Sequence, residues 1–180
     1  MPKLKVPVTP HDHVQGDPDA PVTLVEYGDY QCPHCRLAHF VIKRLQEHFE
    51  EQLRFVFRNF PLVQIHPYAE TAAEAAEFAD QHGTFWEMHD GIYENQDQLS
   101  APLLFELAEE LGLPTADLQR ALESHEFVSK IREDFSGGVQ SGVNGTPTFF
   151  INGERHDGSY GFGDLVTAID EKLLQRRRAA

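Results

Sequence analysis

The chain has 180 residues, enough for one domain with its own core, and it contains only two cysteines. Acidic residues number 29 against 15 basic ones, a formal charge of −14, which excludes sequence-independent binding of nucleic acid through a basic surface. No run approaches the roughly 18 apolar residues of a membrane span, so no membrane insertion is expected.

Residues 1–20 are polar and proline-rich and read as an extended arm. Lys3 and Lys5 are followed by Pro7, Pro10, His11, Asp12 and His13 rather than by an apolar stretch. No signal peptide is visible, and a cytoplasmic location is expected; a signal removed from the front would instead imply the periplasm or another extracytoplasmic space. Asp17-Pro18-Asp19-Ala20-Pro21 reads as a turn. Val22 to Tyr27 is then a strand apolar on both faces, as suits a strand covered on two sides. A helix follows to about Glu50, with Pro33 in its first turn and an apolar face through Leu37, Val41 and Leu45, flanked by Phe40 and Phe49. Leu53 to Arg58 is a second strand, and strand–helix–strand order implies a parallel βαβ unit.

From His66 to about Gln140 there is no strand pattern. An alanine-rich helix starting at His66-Pro67 ends at Gly83, and Thr84 with Glu87 fits a capping box for the next. Ser100 and Pro102 open another helix, which Gly112 closes; Thr115 caps a further one, and a last runs over about 125–137. Acidic side chains dominate this stretch, against Arg120, Lys130 and Arg132. It reads as an acidic helical insertion. Thr148-Phe149-Phe150-Ile151 returns to strand pattern, Asn152-Gly153 signals a hairpin, and the returning strand Glu154 to Asp157 is polar enough for an edge. A final helix uses Leu165, Val166, Ile169 and Leu173, and Arg176-Arg177-Arg178 read as a solvated tail.

The chemistry concentrates at Cys32-Pro33-His34-Cys35, where a strand turns into a helix. A thiol reacts as its thiolate, and the unpaired N–H groups and dipole of a helix N-terminus favour that anion at Cys32. His34 adds a nearby donor or positive charge. Cys35, one turn deeper, is the natural resolving thiol. Against this stand two blander readings. A disulfide closing so short a loop is a poor staple. A closed zinc site needs four ligands, His39 reads as a surface helical residue, and His11 and His13 read as exposed on the arm, so no metal and no other cofactor are expected. Glu26, six residues before Cys32 in an apolar strand, is either a strand-end carboxylate or a buried acid able to pass a proton to Cys35. Pro147, after Thr146, starts a strand, where proline is tolerated; trans is the default for its peptide bond.

Taken together, Glu26, Cys32-Pro33-His34-Cys35 and Gly145-Thr146-Pro147-Thr148-Phe149-Phe150 resemble the DsbA-like thiol-disulfide oxidoreductases. Val22 to Tyr30, Arg58-Asn59-Phe60-Pro61-Leu62, His66-Pro67-Tyr68-Ala69 and Phe85-Trp86-Glu87-Met88-His89 extend the resemblance over about residues 14–175. The resemblance implies an α/β thioredoxin-like fold, a central mixed sheet flanked by helices. The parent domain would comprise 14–62 and 143–175, with an all-helical subdomain inserted at 63–142 and an extended arm at 1–13. It also implies roles: Cys32 as nucleophile, Cys35 as resolving thiol, Pro33 and His34 as tuning residues, Glu26 as buried acid, and Thr146 with a cis Pro147 as the peptide-substrate contact. Protein or peptide thiols and disulfides would be the substrates, and a separate redox partner would reset the pair. Two other readings compete. One is a kappa-type glutathione transferase, which does not need the CxxC pair; the other is a non-enzymatic chaperone or binding module, with Phe85-Trp86 as its contact unless that pair is core.

Overall fold

The structure is a computed structural model and describes residues 2–179. Strand β1 (His13–Gln15) precedes β2 (Val22–Gly28), and helix α1 (Pro33–Phe49) leads through a 3-10 turn to β3 (Leu53–Asn59). Helices α2 (Ala69–Asp80), α3 (Phe85–Glu94), α4 (Ala101–Glu110), α5 (Thr115–Ser124) and α6 (Val128–Gln140) all fall between β3 and β4 (Thr148–Ile151). The hairpin partner β5 (Glu154–His156) and helix α7 (Phe162–Ala179) complete the chain.

The sheet runs in the order β1-β3-β2-β4-β5. The β2–β3 pair is parallel, with Glu26 opposite Phe57, as the strand–helix–strand order requires. The other pairs are antiparallel, and β4 places Phe149 opposite Glu26 on its other side. Asn152 and Gly153 both take positive φ, 49° and 81°, and turn the β4–β5 hairpin.

Alternation along the strands splits the interior in two. Leu24, Phe55, Phe57, Phe149 and Ile151 face α1, α7 and the packed helices of the insertion. Val25, Tyr27, Val56 and Phe150 face the other way, onto Phe60, Val143 and Phe135. Several expectations change here. The N-terminal arm is not free. Leu4 N–H donates to the Gly153 carbonyl at one sheet edge, Leu4 and Val8 cover the second face, and β1 pairs with β3 at the far edge. His13 is therefore buried, stacked on Phe85 at 3.5 Å and bonded to Glu77 at 2.9 Å.

Helix α1 also turns differently from its apolar pattern. Cys35, Ala38, Ile42, Leu45 and Phe49 lie inward, while Leu37 and Phe40 are 58% and 45% exposed. The covering surface is the sheet plus α3 and α7; it keeps Leu45 and Phe49 of the expected face, replaces Leu37 and Phe40 by Ala38 and Ile42, and takes His39 inside. Thr84 stands at the N-cap of α3, but its hydroxyl donates to the Ala79 carbonyl, serving the end of α2 rather than a capping box. Ser100 caps α4 as expected, accepting from Leu103 N–H. Thr115 is the first residue of α5 rather than its cap, which is Pro114.

Candidate active site

Gly28 ends β2, and a Cβ there would lie 2.4 Å from the Phe57 ring and 3.1 Å from the Tyr93 hydroxyl, so this close packing admits only glycine. Asp29 then organises the turn. Its carboxylate accepts from the Gln31 and Leu62 N–H groups and from His66 Nδ1, each at 2.8 Å, and its own N–H donates to Cys35 Sγ at 3.4 Å. Gln96 reaches over from beyond α3 and donates to the carbonyls of Tyr30 and Cys32, at 2.7 and 3.0 Å.

Cys32 is the N-cap of α1, with φ −71° and ψ 121°, and Pro33 occupies the first turn, where a missing N–H costs nothing. No acidic side chain stands in that turn. Both cysteines are free; Cys32 is 5% exposed and Cys35 fully enclosed. The Cys32 thiol is pulled down to about 5. The Cys35 thiol donates to it, burial works in the opposite direction, and Thr146 together with the backbone N–H groups of Cys35 and His34 adds to the stabilisation. Cys35 is pushed well above the ordinary thiol value by burial and by giving its proton to Cys32. The two thiols are thus driven in opposite directions, Cys32 down by the donors around it, Cys35 first among them, and Cys35 up by burial.

Glu26 lies beneath them on β2. It is buried, its Oε1 has no hydrogen-bond partner, and burial, reinforced by Cys32, raises its carboxyl to about 8. The Thr146–Pro147 peptide bond is cis. The Cys32 thiol donates to the Thr146 carbonyl at 3.4 Å, while Thr146 Oγ1 is buried without another partner and is the side-chain donor available to a thiolate. Cys32, Cys35, Glu26, Thr146 and Pro147 therefore come together from three separated segments. The His34 ring does not join them. It is exposed and held 2.7 Å from the Tyr160 hydroxyl, so its contribution at Cys32 is made by its backbone N–H.

Asp29, Gln96 and Tyr160 went unread in the sequence. An aspartate between strand and helix has a local signature, the Asx turn onto Gln31. Gln96 and Tyr160 have none, since their partners lie far away in sequence. Metal-ligand chemistry is gathered elsewhere, at His39, His89 and Asp90. His39, expected on the surface, is 4% exposed.

A family model described as thioredoxin matches residues 8–171. Oxidised BdbD from Bacillus subtilis superposes with a TM-score of 0.81 at 25% identity, covering 90% of this chain and 92% of that one. A thioredoxin-like oxidoreductase from Silicibacter pomeroyi gives 0.77 at 29% identity, covering 96% and 95%. Alpha-DsbA1 from Wolbachia pipientis shares the fold, with a TM-score of 0.80 at 23% identity over 96% of this chain and 97% of its own. Among curated proteins, the Na+/H+ antiporter NhaA 1 of Salinispora arenicola is 46% identical over 175 residues, 97% of this chain. The chain spans only 27% of that antiporter's length, and a similar share of the other curated relatives it matches. Among the described residues, no helix is long and apolar enough to cross a membrane.

Proposed function

Because this chain belongs to the thioredoxin family and has the thioredoxin-like fold of the DsbA-like oxidoreductases, we propose that it is a thiol-disulfide oxidoreductase exchanging disulfides with protein substrates through Cys32 and Cys35. The observation that carries this reading is the asymmetry of the pair: a stabilised thiolate at the helix N-cap and an enclosed thiol one turn below.

With the pair oxidised, a substrate thiolate attacks Cys32 Sγ. The Cys32–Cys35 bond breaks, and Cys35 leaves with the bonding electrons and takes a proton from Glu26. A second substrate thiolate attacks the substrate sulfur of the mixed disulfide and releases Cys32 as thiolate. The substrate loses two electrons and the pair gains them; a redox partner then removes them. Run backwards, the same steps reduce a substrate disulfide. Stabilising the Cys32 thiolate stabilises the dithiol and so makes the disulfide the stronger oxidant. In this reading Thr146 and Pro147 border an extended peptide bound over Cys32, and Pro33 and His34 tune the pair. The cycle needs no bound cofactor.

The test is oxidative refolding of a reduced substrate, alongside dithiothreitol-driven reduction of insulin, with the wild-type chain and Cys32→Ser. Activity in the first and background rates in the second are expected. Background rates in both would refute the exchange reading, and equal chaperone activity in both would favour a binding module.

A further inference from the structure

Where α1 packs on α3, three side chains converge that the exchange chemistry does not use: His39 from α1, and His89 and Asp90 from α3. One ligand-capable atom from each lies within 4.8 Å of the other two. The two imidazoles stand 5.6 Å apart, inclined at 56°, and His39 Nδ1 is 4.0 Å from Asp90 Oδ1. Both rings are buried, and the partly exposed Asp90 forms the mouth.

The polar contacts of this cluster are lopsided. His89 Nδ1 is bonded to the Tyr30 hydroxyl at 3.0 Å, and the Lys43 ammonium holds Asp90 Oδ2. His39 Nε2 and Asp90 Oδ1, by contrast, are buried with no partner from the protein. His89 and Asp90 each have one polar atom anchored by an outer partner, as metal-binding side chains do, while His39 presents a buried, unpartnered Nε2. In the tautomer that puts the proton on Nδ1, facing the Tyr30 hydroxyl, His89 Nε2 carries the lone pair an ion needs. An apolar helix contact has no need of two imidazoles and a carboxylate, and burying polar atoms unpaired works against folding.

We infer that His39, His89 and Asp90 bind a divalent transition-metal ion, with Zn2+ the ion their chemistry fits. Two imidazoles and one carboxylate make a nitrogen–oxygen set suited to zinc, and water at the mouth completes a tetrahedron. Zinc bonds of roughly 2.0–2.1 Å put ligand atoms about 3.4 Å apart, which small side-chain rotations reach. Lys43 is the competing cation. It occupies only the outer carboxylate oxygen, and its side chain is 34% exposed, so it can swing into solvent. A bound ion ties α1, the helix that carries both thiols, to the helical layer outside it. The site does not depend on the exchange reading, because neither cysteine belongs to it.

The experiment uses the full chain with Cys32→Ser and Cys35→Ser, so that thiolates cannot capture the ion. Zn2+ is titrated by calorimetry, and Co2+ is followed by its visible absorption. One equivalent, with a tetrahedral Co2+ spectrum displaced by Zn2+, is expected. His39→Ala, His89→Ala and Asp90→Asn should each weaken binding at least tenfold, Lys43→Gln should tighten it, and His48→Ala should leave it unchanged. Ring 15N resonances of the unsubstituted histidines give a readout independent of variant folding: those of His39 and His89 should shift with Zn2+. Absence of saturable binding, binding that survives loss of both histidines in folded variants, or ring shifts confined to other histidines would overturn the assignment.

Discussion

Glu26 and Cys32 are pushed away from their ordinary behaviour in opposite senses, with opposite consequences for stability. The Glu26 carboxyl is raised from 4.5 to about 8 by burial, so below pH 4.5 it is neutral in both folded and unfolded chains. Between 4.5 and about 8 the unfolded chain ionises it while the folded one holds its proton, and stability falls as pH rises. Glu26→Gln should remove that slope and stabilise the protein by on the order of 3 kcal/mol at pH 7, with little effect at pH 4. If the proposed exchange uses Glu26 to protonate Cys35, the same substitution should slow it about a hundredfold. Denaturant melts across pH and stopped-flow exchange rates check the two halves; a pH-independent stability gain would show that Glu26 is not held neutral. Cys32 runs the other way. Its depressed value stabilises the reduced fold fully above the ordinary thiol value of 9, and that advantage is lost as pH falls through about 5. Cys32 was legible in the sequence, since a thiol at a strand–helix junction carries its chemistry locally, whereas Glu26 could be read as a strand-end carboxylate or a buried acid until its burial was seen. The burial of His13 and His39 was not legible, because each is enclosed by segments far along the chain.

At the level of elements, the least expected is the N-terminal arm. Its anchor is Arg58 on β3, which pairs bidentately with Asp12 at 2.7 and 2.9 Å and donates to the Val6 and Pro7 carbonyls and the Tyr27 hydroxyl. Burial alone would raise the Asp12 carboxyl, but Arg58 overrides it and holds the group below its ordinary range. The pair's contribution is therefore present above pH 3.8 and is lost as pH falls through the lowered value. Asp12→Ala should cost ~3–5 kcal/mol in urea unfolding near neutral pH, because it strands a buried guanidinium. A loss below 1 kcal/mol would mean the arm is not part of the cooperative unit. Local sequence explains why this was missed: a proline-rich polar stretch gives no period, and Asp12 acquires meaning only through Arg58. Helix α1 shows the complementary case. Its existence and its start at Cys32-Pro33 were readable from the junction and the proline, whereas its rotation depends on what covers it. Of the expected face, Leu45 and Phe49 are in the core and Val41 packs against it, whereas Leu37 and Phe40 are left exposed.

For the whole molecule, the parallel βαβ unit, the late hairpin and the long helical stretch between them were all legible as periodicity and turn chemistry. How the helices seat on the sheet was not. Helix α6 docks through Gly138, where a Cβ would meet the Phe60 ring at 2.7 Å and the Tyr27 ring at 3.0 Å, both on the second face. Gly138→Ala should cost about 1–3 kcal/mol by forcing those layers apart. Gly163→Ala, in α7 with nothing within 4 Å of the new carbon, should be neutral or slightly stabilising. Thermal melts of the two variants compare them directly, and equal effects would argue against a glycine-dependent contact. The same architecture brings β2, the start of α1 and the Thr146–Pro147 turn to one point, where the state of the Cys32 thiol can be measured. Alkylation of the reduced protein by iodoacetamide should be followed from pH 3 to 10, with peptide mapping of the labelled thiol. The expected rate profile has its midpoint near 5, with the label on Cys32 well before Cys35. A midpoint near the ordinary thiol value, or equal labelling of the two cysteines, would contradict a thiolate stabilised at the helix N-cap.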